Sequence, residues 1–185
     1  SEPKVIAVMI RFEVSRDQEL LNQYYALREA RFRKELGISD YDGSEEEQDR
    51  KGHILIAHKD GKCVGGVRIS AQLPAQDHVQ ELEVDTRACC TWERLVLHPD
   101  ERSVQFSRDF LANLIDVCHQ LDFKHAVVVS SLRNARFYRL FHTALGIPFE
   151  IVRSAPEFAQ GKFAGLEHYL SVSHLQEVQK LRLVA

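Results

Sequence analysis

The chain has 185 residues, 44% of them hydrophobic and 28% charged, with a formal net charge of -3. That length suits a single domain, 1–185, with its own core, and the ordinary composition and slight acidity argue against a general nucleic-acid binder or a membrane-surface protein. No apolar run nears the roughly 18 residues of a membrane span, and the four cysteines (Cys63, Cys89, Cys90, Cys118) form no CxxC pair, so the expectation is free thiols in a reducing cytoplasm and no metal site.

Residues 4–14 are rich in Val and Ile and read as a strand; the apolar run 5–10 is too short for a signal-peptide core. Residues 17–36 place Leu20, Leu21, Tyr24, Leu27, Ala30 and Phe32 at helical spacing, and Gly37 follows as a stop. The acidic stretch 39–51 is a loop or a short helix. Residues 53–58 and 63–70 form a hairpin around Asp60-Gly61, and 71–87, with Pro74, is irregular. A strand over 91–97 is broken by Pro99-Asp100. Residues 103–121 then form a helix with Phe106, Phe110, Leu111, Leu114, Ile115 and Cys118 inward. The valine run within 126–130 is a strand covered on both faces. A helix over 134–145 ends at Gly146, strands follow at 149–152 and 168–172, and 174–183 is a short terminal helix. This alternation gives an α/β (α+β) fold whose mixed sheet has helices on its faces, with antiparallel hairpins first and a β–α–β crossover later.

The run from Glu93 to Ser103 is a strand, a breaker and a helix start. The first N–H groups of a helix lack internal partners and, with the helix dipole, attract anions; Arg102 would add a positive charge. Many strand–turn–helix units bind nothing, so the signal alone is weak.

Val96, Pro99 and Arg102 fit an apolar–Val–x–x–Pro–x–x–Arg run that resembles the GNAT acyltransferase superfamily. The resemblance implies a mixed sheet of about seven strands flanked by helices. It also implies that the backbone of Leu95, Val96 and Leu97 binds a pantetheine arm. The loop Arg102, Ser103, Val104, Gln105, Phe106 and Ser107 would hold a coenzyme A pyrophosphate. Gln105 and Ser107 stand where that family prefers small residues, which let backbone approach phosphate. Asn134 matches the start of the family's next helix. Phe141 stands where a Tyr commonly serves as general acid, and Tyr138, one turn earlier, is the candidate substitute.

The segment from Leu27 to Gly37 is similar to the first helix of acyl-homoserine-lactone synthases and related N-acyl amino acid synthases. Arg28, Phe32, Asp49, Arg68 and Arg94 match that branch, and the resemblance assigns Arg28, Phe32, Arg68 and Arg94 to substrate binding. Ile38, Ser44, Glu46 and Thr91 depart from it. These departures point away from S-adenosylmethionine as acceptor, and the resemblance implies an N-acyltransferase that moves an acyl group from a thioester to a small-molecule amine. Its donor would be acyl-CoA, acetyl-CoA or the phosphopantetheine of an acyl-carrier protein. An acetyl-CoA-dependent N-acetyltransferase and a non-catalytic acyl-binding module are the alternatives.

Glu93 is the candidate general base, on a strand whose alternation puts Thr91, Glu93, Leu95 and Leu97 on one face; the competing reading is an ion pair with an arginine. Arg28 and Arg68 either grip an acceptor carboxylate or pair with the acidic run 45–49. No base is indicated beside Cys89 or Cys90, and neither is a candidate nucleophile.

Overall fold

The computed structural model describes residues 9–74 and 79–175. Asp17 caps the first helix by accepting the Leu20 amide, and α1 (Gln18–Glu35) buries Leu20, Leu21, Tyr24, Tyr25, Arg28 and Phe32. Within the acidic stretch a short helix forms, α2 (Glu47–Lys51); the Asp49 carboxylate accepts the Glu46 amide at its start. Ser103 caps α3 (Val104–Gln120) and Ser131 caps α4 (Leu132–Leu145), which begins before Asn134. Strand β1 is Arg11–Val14. The earlier part of its expected run, 4–8, lies outside the described residues, as does the expected terminal helix from 176 on. The irregular segment contains two short turns of 3-10 helix, Gln80–Leu82 and Thr86–Ala88.

The remaining strands are β2 (His53–Lys59), β3 (Lys62–Ser70), β4 (Cys89–Leu97), β5 (His125–Ser130), β6 (Phe149–Ser154) and β7 (Tyr169–Ser173). They form one seven-stranded mixed sheet in the order β1-β2-β3-β4-β5-β7-β6. Helices α3 and α4 cover one face over a core of Trp92, Phe110, Leu111, Leu114, Val128 and Tyr138. Helix α1 covers the other over Ile54, Ile56 and Val96.

Two features of β4 place the site. It pairs in parallel with β5 only through Cys89, Cys90 and Thr91, opposite His125, Ala126 and Val127. Beyond that point β4 stays with β3 and β5 stays with β7, so the sheet splits into two halves. The second feature is a bulge. Glu93 pairs Arg68 and Val96 pairs Gly66, leaving Arg94 and Leu95 opposite Val67 alone. Arg94 takes φ 56°, a left-handed conformation that costs a non-glycine residue energy. The bulge also overturns the expected alternation. Leu95 and Leu97 join Cys90 and Trp92 against α3 and α4. Glu93 turns to Arg68, and Val96 packs beneath α1.

Candidate active site

Between the diverging ends of β4 and β5 opens a cavity of about 1020 Å³. Trp92 to Leu97 form one wall, Val128 to Ser130 with the start of α4 the other, and Phe137, Tyr138 and Phe141 project into it from α4. Phe32, Glu35 and Leu36 close it from α1. The aromatic and aliphatic lining suits an apolar chain, and the split strand edges offer backbone groups to a polar arm.

An ion network forms one side. Asp49 accepts from Arg28 Nη1 (2.9 Å) and Nη2 (2.6 Å) and from Arg68 Nη1 (2.9 Å). Arg28 also donates to the carbonyls of Gly43 and Ser44, and its side chain is fully buried. It does not line the cavity, and it pairs with Asp49 of the acidic run. Arg68 is 2% exposed and joins Asp49 to Glu46 (3.2 Å) and Glu93 (2.7 Å). It borders the cavity with its donors already engaged. Burial alone would push the Asp49 carboxyl up, but the bonds from Arg28 and Glu46 hold it down at about 2. Burial would likewise raise Glu46, and Arg94 and Arg68 keep it low.

The outer ends of this network meet the cavity. Glu93 Oε2 takes the Arg68 contacts, and Oε1 bonds no described residue; the side chain is 30% exposed. Arg94 reaches Glu46 (3.1 Å) and lies over the Phe163 ring at 4.5 Å. Phe163 belongs to the β6–β7 connection, which crosses from the far half of the sheet. Its ring meets Phe32 and Tyr41, and Lys162 beside it donates to the Asp42 carbonyl. The Tyr41 hydroxyl is buried and has no hydrogen-bond partner among the described residues.

At the other end, the α3 start is a partial anion cradle. Ser103 Oγ takes the Phe106 amide and the Ser103 carbonyl takes the Ser107 amide. Only the Val104 and Gln105 amides of that turn bond no described residue. The Gln105 side chain holds Asp109, and the Phe106 ring packs on Phe12 and Phe110, so neither side chain lines the cavity. Arg102 donates twice to the Leu97 carbonyl (3.0 and 2.7 Å) and pairs with Glu35. Arg102, Ser103, Val104, Ser107 and Asn134 all border the cavity.

Tyr138 is buried against Trp92, and burial pushes its phenol well above the ordinary value, so it stays protonated. Its hydroxyl bonds no described residue. Burial likewise pushes the thiols of Cys63 and Cys89 up, to about 11 and about 12, which makes both poor nucleophiles. Among the described residues no group of side chains is arranged to hold a metal, and no helix is long and apolar enough to cross a membrane. Glu35 and Phe163, which line the cavity, and Tyr41, which packs on Phe163, are not singled out by the sequence. Only contacts between elements far apart in the chain reveal them.

A profile of the acetyltransferase (GNAT) family matches residues 19–142. No curated protein sequence matches the chain. Among solved structures, BjaI, a CoA-dependent acyl-homoserine lactone synthase, is 16% identical with TM-score 0.66, covering 96% of this chain and 90% of that one. The acyl-homoserine lactone synthase LasI is 15% identical with TM-score 0.62, covering 93% of each. Aminoglycoside 6'-acetyltransferase type Ii is 14% identical with TM-score 0.61, covering 90% and 97%. At these identities the structural likenesses speak for the fold alone.

Proposed function

Since the chain belongs to the acetyltransferase (GNAT) family, we propose that it transfers an acyl group from a pantetheine thioester to the amine of a small molecule, within the β4–β5 cleft. The observation that carries this reading is the split of β4 from β5 above Thr91, which opens a cavity of about 1020 Å³ between a free strand edge and an aromatic wall. That space takes the pantetheine arm and the acceptor as well as the acyl group, and Phe137, Tyr138 and Phe141 along one side suit a longer acyl chain.

The residues fit such a donor. The edge of β4 from Trp92 to Leu97 leaves backbone groups for the pantetheine amides, and the α3 start leaves two free amides for phosphate. Coenzyme A or a carrier protein supplies the activated thioester. The narrow cradle suits a single phosphate as well as a diphosphate. Arg133, Arg136 and Arg139 lie exposed along α4 beside the cleft, and α4 carries no acidic residue, which supports an acidic carrier as donor. BjaI is described as CoA-dependent, and coenzyme A is the first donor to test. Four buried free cysteines agree with a reducing cytoplasm.

In this reading the amine nitrogen attacks the thioester carbonyl and the carbon–sulfur bond breaks. Glu93 takes the amine proton, directly or through water. Arg68 fixes one Glu93 oxygen and leaves the other towards the cavity. The Leu95 amide, on the bulge, stabilises the developing oxyanion. Tyr138, held protonated by burial, hydrogen-bonds the leaving sulfur. Arg94, with Phe32 beside it, faces the acceptor from the α1 side.

The test is thiol release from acetyl-, octanoyl- and dodecanoyl-CoA and from octanoyl carrier protein, with hydroxylamine as probe amine. Turnover rising with chain length is expected. Turnover with acetyl-CoA alone establishes the short-chain N-acetyltransferase instead, and binding without turnover of any donor establishes an acyl-binding module.

A further inference from the structure

The bulge that presents the Leu95 amide is strained, and something must hold it. Arg94 sits at φ 56°. Its carbonyl accepts from the Tyr24 hydroxyl at 2.6 Å, across 70 residues of chain. Tyr24 is fully buried on α1 and does not line the cavity; Leu95 does. The peptide between Arg94 and Leu95 is trans and planar, so its N–H points opposite to its C=O. Anchoring the carbonyl on Tyr24 therefore directs the Leu95 N–H away from Tyr24.

The site for the Tyr24 ring is built for this contact. A Cβ on Gly66 would meet the ring at 2.5 and 2.7 Å, so glycine there lets the ring approach β3 closely. Burial keeps the phenol protonated, and it can serve as a steady donor. The other donors around Arg94 do not replace it: Arg28 is committed to Asp49, Gly43 and Ser44, and Arg68 to Asp49, Glu46 and Glu93.

The geometry points to Tyr24 as a positioning residue: its hydroxyl locks the Arg94 carbonyl and thereby aims the Leu95 amide at the thioester oxygen. This rests on the acyl-transfer reading above. Tyr24 touches no substrate; it acts through the backbone of β4. Without the hydroxyl, the left-handed Arg94 loses the bond that offsets its strain, and the peptide rotates towards a regular strand.

Tyr24→Phe keeps the ring and removes the donor. With octanoyl-CoA and hydroxylamine, kcat is expected to fall about 10- to 100-fold, below the loss typical of deleting a whole oxyanion donor. The donor KM stays within about threefold, since the interaction is weak in the bound thioester and strengthens in the transition state. Two readouts separate positioning from mere packing. The carbonyl stretch of a ¹³C-labelled octanoyl thioester, lowered when bound to the native protein, returns towards its free value in Tyr24→Phe. The three-bond HN–Hα coupling of Arg94, which reports φ, leaves its left-handed value. A folded Tyr24→Phe variant with unchanged kcat, or with Arg94 still left-handed, overturns the inference. Should that variant not fold, 3-fluorotyrosine at position 24 keeps ring and hydroxyl. It shifts the bound carbonyl stretch if the inference holds, and an unchanged stretch overturns it. If the native protein releases no thiol from any donor, the acyl-transfer reading fails by itself; the Arg94 coupling in Tyr24→Phe then decides for or against Tyr24 as the holder of the bulge.

Discussion

Asp49→Asn tests whether the ion network is the floor of the site. The Asp49 side chain is fully buried and accepts three bonds from Arg28 and Arg68 as well as the Glu46 amide. The amide is nearly isosteric, but it removes the charge and presents donors to guanidinium donors. Two buried arginines are then left without their shared counter-ion, a change that costs about 3–5 kcal/mol for buried pairs. That is a large share of the roughly 5–15 kcal/mol that holds a domain together. Urea unfolding followed by fluorescence measures it: the slope m stays constant and the midpoint falls by about 1–2 M. The charge carries a pH signature too. A carboxyl held at about 2 instead of its ordinary 3.8 gives stability that is full above pH 4 and is lost as pH falls from about 4 to about 2. The size of that loss is about 2 kcal/mol, and Asp49→Asn lacks it. A midpoint shift below about 0.3 M with m unchanged would mean that the arginines hold their places without Asp49.

His142 is buried with Nδ1–H donating to the Tyr138 carbonyl and Nε2 accepting from Ser173, and burial lowers its pKa to about 4. Its neutral form is the folded form, so stability declines by about 3 kcal/mol as pH falls from 6.5 towards 4, read from urea midpoints; His142→Gln flattens that slope. Gly43→Ala puts a Cβ 2.4 Å from Glu29 Cβ and 2.5 Å from the Tyr25 carbonyl, displacing the loop whose carbonyl holds Arg28. A loss of about 2 kcal/mol is expected by the same unfolding assay, and an unchanged midpoint would contradict the close approach. Tyr138→Phe leaves folding intact and slows thioester turnover about 10-fold, with the larger loss for an alkyl thioester than for an aryl thioester, whose thiol leaves more readily.

Much of the architecture is legible in the sequence because it is written in short-range patterns. The helix over Gln18–Glu35 follows from its apolar spacing and the Gly37 stop, the β2–β3 hairpin from Asp60-Gly61, and the parallel β4–α3–β5 crossover from Pro99 and the valine run. The bulge at Arg94 was not legible. An arginine carries no preference for a left-handed backbone, and the bond that holds it there comes from Tyr24, 70 residues away. The face assignment of Leu95 and Leu97 failed for that reason, since one inserted residue reverses every side chain after it. Arg28 could be singled out by its pattern but not placed, because whether it grips ligand or Asp49 depends on the fold of residues 43–49.

On the proposed function, the β4–β5 cleft acylates an amine with Glu93 as base. The most direct test is mass-spectrometric detection of N-octanoyl products from octanoyl-CoA and a mixture of free amino acids, with native protein and with Glu93→Gln. The native protein is expected to give an N-octanoyl product and Glu93→Gln, compared as folded protein, about 100-fold less or lower still. Equal product from the two, or thiol release that yields only free octanoic acid, would contradict the proposed function.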